Sequence, residues 1–403
     1  MAAVYLIFTI LSMFTCMLPA GVFSVIWESI SNYLTVGVPS IAIIRVLIVI
    51  GVVAAAVLSD RIRSYGVIRD IVIGSTALEA LALLGFSLSR VFWNLCVWSV
   101  CLGFGLGMGV TLLCRMLRRA GRRYAEIVFA GGALGITAGV WILSQVFARG
   151  GGWRTSCQIL AVAQVLLCLL QFSLRRRGLR ESEESVRKLQ RERNRMRAVR
   201  RQKKIREDGP LDERSAPARF RSLACTYLAC TFCSVLVLGA VLWPGTWLVS
   251  SGRGNLPSSV SVMIVSGGLA AGRLLAYVFP LPGNRKVLLF GVFAAAAAGV
   301  ALVLSGSGLS LLQAEFLQFA IGAGAGEVLP VLITTEDERL DEDAQDSLYG
   351  LLPAFYAGAL AVITPLTQAL VGCGQERWFA LWLLTAAVLM TLFLAGAERR
   401  IKR

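Results

Sequence analysis

Long apolar stretches with almost no charge recur along the whole chain of 403 residues. Each is long enough to cross a bilayer as a helix, which takes about 20 residues. Charged residues make up only 16% of the chain, against roughly 25% in a typical soluble domain. Because lipid cannot hydrogen-bond an open backbone, such segments must be helices. The pattern therefore excludes a soluble globular domain and predicts an all-α membrane protein.

Twelve such stretches are present, six on each side of a long charged segment. The predicted spans are residues 3–27, 36–58, 67–88, 92–117, 124–147, 154–174, 222–248, 258–279, 287–305, 309–333, 346–372 and 377–396. The first apolar run starts at Ala2 without a basic leader and continues past Trp27 without a small-residue cleavage site. We therefore expect it to be a retained helix rather than a signal peptide.

Basic residues mark one side of the predicted membrane protein. They concentrate in the connections after spans 2, 4, 6, 8 and 12. Examples are Arg61, Arg63, Arg69, Arg118, Arg119, Arg122, Arg123, Arg285, Lys286, Arg399, Arg400, Lys402 and Arg403. The connections on the other side hold few basic residues. By the positive-inside rule, the basic connections and both chain termini are predicted to be cytoplasmic.

The most basic segment, "LRRRGLRESEESVRKLQRERNRMRAVRRQKKIRE" at residues 174–207, connects spans 6 and 7. Its apolar residues Val186, Leu189, Met196 and Val199 are 3, 7 and 3 apart, which indicates an amphipathic helix. We interpret residues 175–221 as a cytoplasmic linker that lies on anionic lipid headgroups. Nucleic-acid binding is disfavoured, because no aromatic residues interleave the charges. The acidic segment "TTEDERLDEDAQD" at residues 334–346 is a candidate partner for this linker, although exposed ion pairs are individually weak.

Cysteine and histidine usage points away from redox, metal and enzymatic chemistry. All ten cysteines lie in apolar stretches, and the chain has no histidine, which is the usual imidazole ligand and neutral-pH proton carrier. We expect no disulfide, no metal site, no cofactor and no catalytic residues.

An internal repeat relates the two sets of six spans. Span 4 contains "GFGLGMGV" and span 10 contains "GAGAGEVLP". The glycines match in pairs at an offset of 217 (322−105, 324−107 and 326−109). Because both halves begin on the same side, the repeat is parallel, with its axis along the membrane normal. The predicted domains are residues 1–174 and 222–403, two six-helix bundles joined by the linker at 175–221, with a cytoplasmic tail at the end.

Three short motifs in the predicted connections resemble the major facilitator superfamily. "LSDRIRSYG" at residues 58–66 looks like the Asp-Arg signature between helices 2 and 3. "GRLLAYVFPLPGNRK", from Gly272, looks like the equivalent signature after helix 8, and "GGWRTSCQIL" at residues 151–160 is similar to the start of helix 6. The resemblance implies twelve transmembrane helices in two pseudo-symmetric bundles, the major facilitator fold.

The stretches "VPSIAIIRVLIVIG", "LWPGTWL", "SGGLAAGRLL" and "GEVLPVLITTEDERL" resemble a bacterial, fucose-permease-like branch of sugar transporters. This resemblance implies a monomeric secondary transporter of the bacterial inner membrane, in which the two halves rock about a central site and move a small solute, by symport in such a branch. Two alternatives stay open, the efflux of an amphipathic compound and a non-transporting relative that acts as a membrane docking protein. The second is favoured by Ala20, since relatives tend to carry an acidic residue there, after the proline of helix 1.

Charged residues within spans are the first candidates for function, because they are costly in lipid. Arg45 and Glu79 fall at similar depth on consecutive spans, so we expect them to form a structural ion pair. Arg273 and Glu327 both lie six residues from the cytoplasmic ends of spans 8 and 10, which the family resemblance places side by side. Glu327 also sits between the glycines and Pro330, a combination that points to a substrate pathway.

The candidate residues fall into two groups. For the substrate pathway we expect Glu327, Arg115, Trp27, Trp243 and Trp247. For a cytoplasmic gate we expect Asp60, Arg61 and Arg273, with Asp60 pairing with Arg115 when the protein is closed to the cytoplasm. The tryptophans have an alternative role as anchors at the membrane interface.

The predicted topology can be tested with single cysteines on the surface. In intact cells, a membrane-impermeant maleimide is expected to label Arg149→Cys, in the connection before span 6, and to leave Ser185→Cys in the linker unlabelled until the cells are opened. The parent protein, with its cysteines in apolar stretches, is the control. Labelling of Ser185→Cys from outside would overturn the predicted orientation.

Overall fold

The computed structural model describes residues 3–37, 40–59, 61–62, 65–120, 122–176, 216–250, 258–279, 283–305, 310–334, 351–358 and 376–401. The helices are α1 Ala3–Met17, α2 Phe23–Leu34, α3 Ser40–Ser59, α4 Tyr65–Leu88, α5 Phe92–Ala120, α6 Arg122–Ala148, α7 Trp153–Arg176, α8 Ala216–Ser250, α9 Ser258–Val278, α10 Gly283–Ser305, α11 Leu311–Gly326, α12 Val328–Thr334 and α13 Glu376–Ile401. The described residues contain no strand.

Within these described ranges, nine helices are long and apolar enough to cross a membrane, and two shorter apolar helical stretches are present at Val4–Met17 and Leu288–Leu304. The first predicted span corresponds to α1 and α2 together, and the tenth to α11 and α12. Most of the predicted eleventh span lies outside the described residues, which are helical at 352–358. The predicted all-helical membrane fold is confirmed. The first span reaches Leu34 instead of residue 27, and the seventh begins at Ala216 instead of residue 222.

The break in the first span lies at residues 18–22 and follows from Pro19, which has no N–H to donate to the carbonyl of Thr15. The chain makes tighter turns there, with the N–H of Leu18 bonded to Thr15 O at 3.2 Å and that of Ala20 to Met17 O at 3.1 Å. Helix α2 then restarts at Phe23. A single predicted span is therefore two helices with a turn between them.

Close backbone contact between α3 and α5 forms the centre of the first bundle, which comprises α1–α7. A Cβ at Gly103 would overlap the carbonyl oxygen of Ile48, and a Cβ at Gly51 would overlap the carbonyl oxygen of Val100. Helices can approach this closely only where neither carries a side chain, as in small-residue contacts between membrane helices.

The same contact recurs between α9 and α11 in the second bundle, which comprises α8–α13 and residues 351–358. A Cβ at Gly322 would overlap the carbonyl oxygen of Val265, and a Cβ at Gly268 would overlap that of Phe319. The two bundles therefore repeat one packing arrangement, as the sequence repeat predicts.

The contacts give the repeat a different register from the sequence match. Gly103 faces α3 and Gly322 faces α9, the second spans of their bundles. Gly105 and Gly324 face the third spans, α4 and α10, where they approach Glu79 and Ala294 respectively. The structural offset is thus 219 (322−103 and 324−105), two residues more than the offset of 217 found in the sequence. A shift of two residues along a helix changes the direction of the position by more than half a turn. Only the contacts therefore decide which glycines correspond.

The two bundles meet along several pairs of helices. Helix α6 packs against α9, and the hydroxyls of Thr137 and Ser266 are 2.8 Å apart across this contact. Val52 and Ala56 of α3 pack against Ala354 in the helical residues 352–358. The ends of α3, α5 and α9 and the start of α6 lie together at one end of the molecule, which we call the basic face.

Close packing at Gly103 can be tested against a matched glycine. Gly103→Ala is expected to destabilise the protein by about 1–3 kcal/mol, the usual cost of overpacking a filled contact. A Cβ at Gly74 on α4 would meet no atom of another helix within 4 Å, so Gly74→Ala is expected to be neutral or to stabilise by about 0.5–1 kcal/mol. Thermal unfolding in detergent measures both. Equal effects would show that α3 and α5 are not in backbone contact.

Candidate functional site

A break in the tenth span is the central feature of the candidate site. Helix α11 ends at Gly326 and α12 begins at Val328, with Glu327 between them at φ −82° and ψ −15°. The cause is Pro330. Its nitrogen carries no hydrogen, so the carbonyl oxygen of Gly326, four residues earlier, receives no donor from within the helix. A buried carbonyl must find a donor elsewhere.

Arg273 of α9 supplies that donor. Its Nε donates to the carbonyl oxygen of Gly326 at 2.9 Å. Its Nη1 donates to the carbonyl oxygen of Phe129 at 2.6 Å, and its guanidinium carbon lies 5.5 Å from the centre of the Phe129 ring. Because Phe129 belongs to α6, this side chain connects the break in the second bundle to the first bundle. We call these contacts the Arg273 bridge.

Glu327 lies at the break and is fully buried. It interacts electrostatically with Arg273, as the sequence led us to expect. The hydrogen bonds of the guanidinium, however, go to the two backbone carbonyls. A second donor at the break is Cys233 of α8, whose Sγ lies 3.6 Å from the carbonyl oxygen of Ala325. Side chains of α8 and α9 thus both donate to backbone carbonyls at the break, and the bond from Arg273 replaces the donor that Pro330 lacks.

Helix α12 continues from the break to the basic face and packs against α5 and α6 of the first bundle. Arg123 of α6 lies over the ring of Tyr277 of α9, 5.8 Å from its centre, near the same face. The two bundles are therefore in contact at the basic face through charged side chains as well as apolar ones.

The predicted gate residues lie at this face. The guanidinium of Arg115 is buried, and its Nη1 donates to the carbonyl oxygen of Ser59, the last residue of α3. Asp60, the predicted partner of Arg115, is the next residue but lies outside the described residues. Arg61 is exposed at the end of α3. The structure thus places Arg115 next to the predicted gate and gives no contact between Arg115 and Glu327.

The predicted tryptophans are only partly described. Trp27 lies on α2, buried in an apolar cluster of the first bundle with Phe23 and Trp153. Its indole nitrogen has no hydrogen-bond partner among the described residues. Trp243 and Trp247 lie on α8, and their side chains fall outside the described residues. The structure therefore brings Arg273 and Glu327 together and places Trp27 in a separate cluster.

The predicted ion pair between Arg45 and Glu79 is wrong. Glu79 is fully buried and accepts a hydrogen bond from Nε2 of Gln164 on α7 at 2.5 Å. Arg45 on α3 is half-buried, and it is not among the partners of Glu79, which are Gln164 and Cys16. Similar depth on consecutive spans did not place the two charges on facing sides of their helices. The signal that could have identified the true partner is Gln164, an amide in the middle of a mostly apolar span.

The Arg273 bridge predicts a specific coupling between two substitutions. Arg273→Met removes the donor to Gly326 O and is expected to cost about 1.5–3 kcal/mol per charged hydrogen bond lost. Pro330→Ala restores an N–H that can donate to the same carbonyl, so Arg273→Met is expected to cost less in that background. A double-mutant cycle of thermal stability in detergent measures the difference.

The exposed Arg61→Met is the control and is expected to leave stability unchanged. An identical cost of Arg273→Met with and without Pro330 would contradict the role given to the missing N–H.

Comparison with known proteins places this architecture in a family. The sequence matches the family model of the Major Facilitator Superfamily over residues 6–365. The structure is similar to that of the proton:xylose symporter XylE bound to 6-bromo-6-deoxy-D-glucose, with a TM-score of 0.69 and 15% identity over 97% of this chain and 94% of that chain. It is also similar to FucP, a Major Facilitator Superfamily transporter in the outward conformation, with a TM-score of 0.67 and 12% identity over 98% of this chain and 99% of that chain. No curated protein matches in sequence.

The structural similarity at such low identity shows the fold, and the family model supplies the membership. That model covers nearly the whole chain, from residue 6 in α1 through the break at Glu327 to residue 365, before α13. The chain therefore belongs to the major facilitator superfamily, and it is a multi-pass membrane transporter rather than an enzyme.

Proposed function

We propose that this protein is a secondary active transporter that moves a small polar solute, such as a sugar, across a bacterial inner membrane by alternating access. The observation that carries the proposal is the Arg273 bridge, a buried polar contact between the two bundles at the basic face. In this mechanism residues 1–174 and 222–403 move as units about a central site. The linker at 175–221 lies on anionic lipid at the cytoplasmic side, where the basic face is placed by the positive-inside rule.

Alternating access needs contacts between the bundles that form at one face and break again. The Arg273 bridge crosses the interface with one charged hydrogen bond and one cation–π contact. A hydrogen bond of this kind contributes about 1.5–3 kcal/mol. A ligand shifts a conformational equilibrium by its difference in affinity for the two states, and couplings of about 1–3 kcal/mol are typical. A bound solute can therefore supply the energy needed to open this contact.

The bridge also gives a physical role to the predicted gate. Arg273 acts with Asp60 and Arg61, which follow the end of α3, and Arg115 holds that end through the carbonyl oxygen of Ser59. With these contacts formed, the pathway is closed to the cytoplasm and the solute reaches the site from the opposite face. When they separate, the Gly326 carbonyl loses its donor, which favours reclosure.

The solute site in this proposal is built around Glu327. It is a fully buried carboxyl at a helix break, beside the carbonyl of Gly326, which becomes available to a hydroxylated solute when Arg273 leaves it. Trp27 belongs to the proposed pathway from a separate cluster in the first bundle, where its buried indole N–H has no partner in the described part of the chain and a sugar hydroxyl is a suitable acceptor. Arg115, Trp243 and Trp247 complete the proposed set.

Two transporters of similar structure support a sugar as the first solute to test. One is named as a proton:xylose symporter and was solved with a halogenated glucose, and the other is named FucP. By the same analogy we propose symport with protons. Export of an amphipathic compound, and a docking role without transport, are the outcomes expected if no polar solute binds.

A thermal-shift screen of sugars and sugar acids on the purified protein tests the proposal. A ligand present at roughly 100 times its Kd stabilises the folded state by about 2.7 kcal/mol. We expect at least one solute to raise the melting temperature and to be taken up by proteoliposomes. Glu327→Gln is expected to abolish the shift given by that solute.

Glu315→Gln is the matched control, since Glu315 lies on the same helix α11 and is only partly buried. It is expected to keep the ligand-induced shift. A shift that survives in Glu327→Gln would remove Glu327 from the solute site, and uptake of no tested solute by the wild-type protein would contradict the transport proposal for polar solutes.

A further inference from the structure

A second buried carboxyl, Glu79 of α4, lies inside the first bundle, apart from the Arg273 bridge. None of its surface is exposed. One oxygen, Oε2, accepts the hydrogen bond from Nε2 of Gln164, and the thiol of Cys16 lies against the same carboxyl. Gly105 of α5 provides the space, because a Cβ there would lie 2.9 Å from Cγ of Glu79.

The surroundings of Glu79 contain no cation among the described residues. Cys16 of α1, Gln164 of α7 and Gly105 of α5 lie against Glu79, and Cys168 of α7 interacts with Cys16, so the titratable groups here besides Glu79 are two thiols. The thiol of Cys168 donates to a backbone carbonyl, that of Ile73, at 3.6 Å. An ionised carboxylate that is fully buried in such an environment is costly, since no counter-charge among the described residues compensates it. A neutral carboxylic acid avoids this cost.

Two oxygens at this contact lack a donor. They are Oε1 of Glu79 and Oε1 of Gln164, both buried and without a hydrogen-bond partner in the described part of the chain. The two side chains already share one hydrogen bond. A carboxylic acid and a primary amide can pair through two hydrogen bonds, with the acid O–H donating to the amide oxygen. One proton on Glu79 therefore supplies the donor that the pair lacks, whereas an ionised Glu79 leaves both oxygens unsatisfied.

We propose that Glu79 and Gln164 form a proton-binding site within the first bundle, in which Glu79 is a neutral carboxylic acid that donates to Oε1 of Gln164. Release breaks the O–H bond of the acid, and the proton passes to water while the electron pair stays on the carboxylate. Rebinding reverses the step. The ligand of this site is a proton alone, and no other reactant is needed.

Helix α1 connects this site to the interface between the bundles. Cys16 of α1 touches Glu79, and α1 packs in close backbone contact on α6 at Gly135, as does the turn after α1 at Gly139. Helix α6 in turn carries Phe129, the acceptor of the Arg273 bridge. A shift of α1 during opening would disturb the surroundings of Glu79. A role for this proton in driving solute uptake rests on the proposed function, whereas proton binding itself does not.

Infrared difference spectroscopy of the purified protein tests proton binding directly. At neutral pH we expect the carbonyl band of a protonated carboxylic acid, lost in Glu79→Gln and retained in the control Glu28→Gln, since Glu28 is exposed on α2. The Glu79→Gln side chain carries a permanent donor and mimics the protonated form, so this variant is expected to fold. Gln164→Leu is expected to shift the band, and Gln171→Leu, seven residues along the same helix, to leave it in place.

Thermal stability against pH gives a second readout. Raising the pH removes the proton and strands a buried charge, so the wild-type melting temperature is expected to fall at alkaline pH more steeply than that of Glu79→Gln. A carboxylate in place of the acid band at neutral pH, the same pH response in Glu79→Gln as in wild type, or stabilisation by sodium ions in place of acid would each overturn the proton site.

Uptake in proteoliposomes separates this inference from the proposed function. A pH gradient is expected to drive uptake of a solute by the wild-type protein, and Glu79→Gln is expected to lose gradient-driven uptake while it keeps solute exchange. Gradient-driven uptake at the wild-type rate by Glu79→Gln would overturn the coupling role. An intact acid band in a protein that takes up no solute would confirm the proton site and reject the proposed function.

Discussion

The Arg273 bridge between the two bundles depends on one backbone N–H that the chain lacks. Pro330 has no N–H, so the carbonyl oxygen of Gly326 has no donor within its helix, and the helix breaks at Glu327. Arg273 fills that position and uses its remaining donors on Phe129 of the other bundle. A local defect in one helix is thereby converted into a contact between domains. The same defect places Glu327, a buried acid, beside backbone carbonyls at the centre of the candidate site.

The two bundles share a scaffold but differ at the positions that carry charge. Gly51 of α3 and Gly268 of α9 make equivalent contacts at an offset of 217 (268−51), so the counterpart of Arg273 is Ala56 (273−217). With the offset of 219 for the fourth helix, the counterpart of Glu327 is Met108 (327−219). Ala56 contributes to the apolar contact with Ala354, whereas Arg273 makes a polar bridge. The glycine contacts are the same in both bundles and set the positions of the helices. The charged residues differ between the bundles, so one contact is apolar and the other is polar.

Sequence reasoning succeeded where one residue's chemistry decides the outcome and failed where orientation decides it. Apolar length identified the spans, and the motifs in the connections identified the family. Depth along the helix suggested a pair between Arg45 and Glu79, but depth gives no rotation, and the carboxyl faces Gln164 instead. The repeat was found at an offset of 217, although the contacts of Gly103 and Gly322 require 219 for that helix. A match of glycines alone cannot tell which face each glycine occupies.

The sequence by itself determined that this chain is a helical membrane protein with a repeated arrangement of helices, because hydrophobic length and the positions of glycine and proline are local properties. It also marked Arg273 and Glu327 as costly charges that need partners. Only the tertiary structure decided what those partners are. Hydrogen bonds to the carbonyls of Phe129 and Gly326 involve backbone atoms that every residue possesses, so no pattern of side chains in the sequence predicts them. Their selection depends on the rotation and spacing of helices, which the packing of the whole molecule sets.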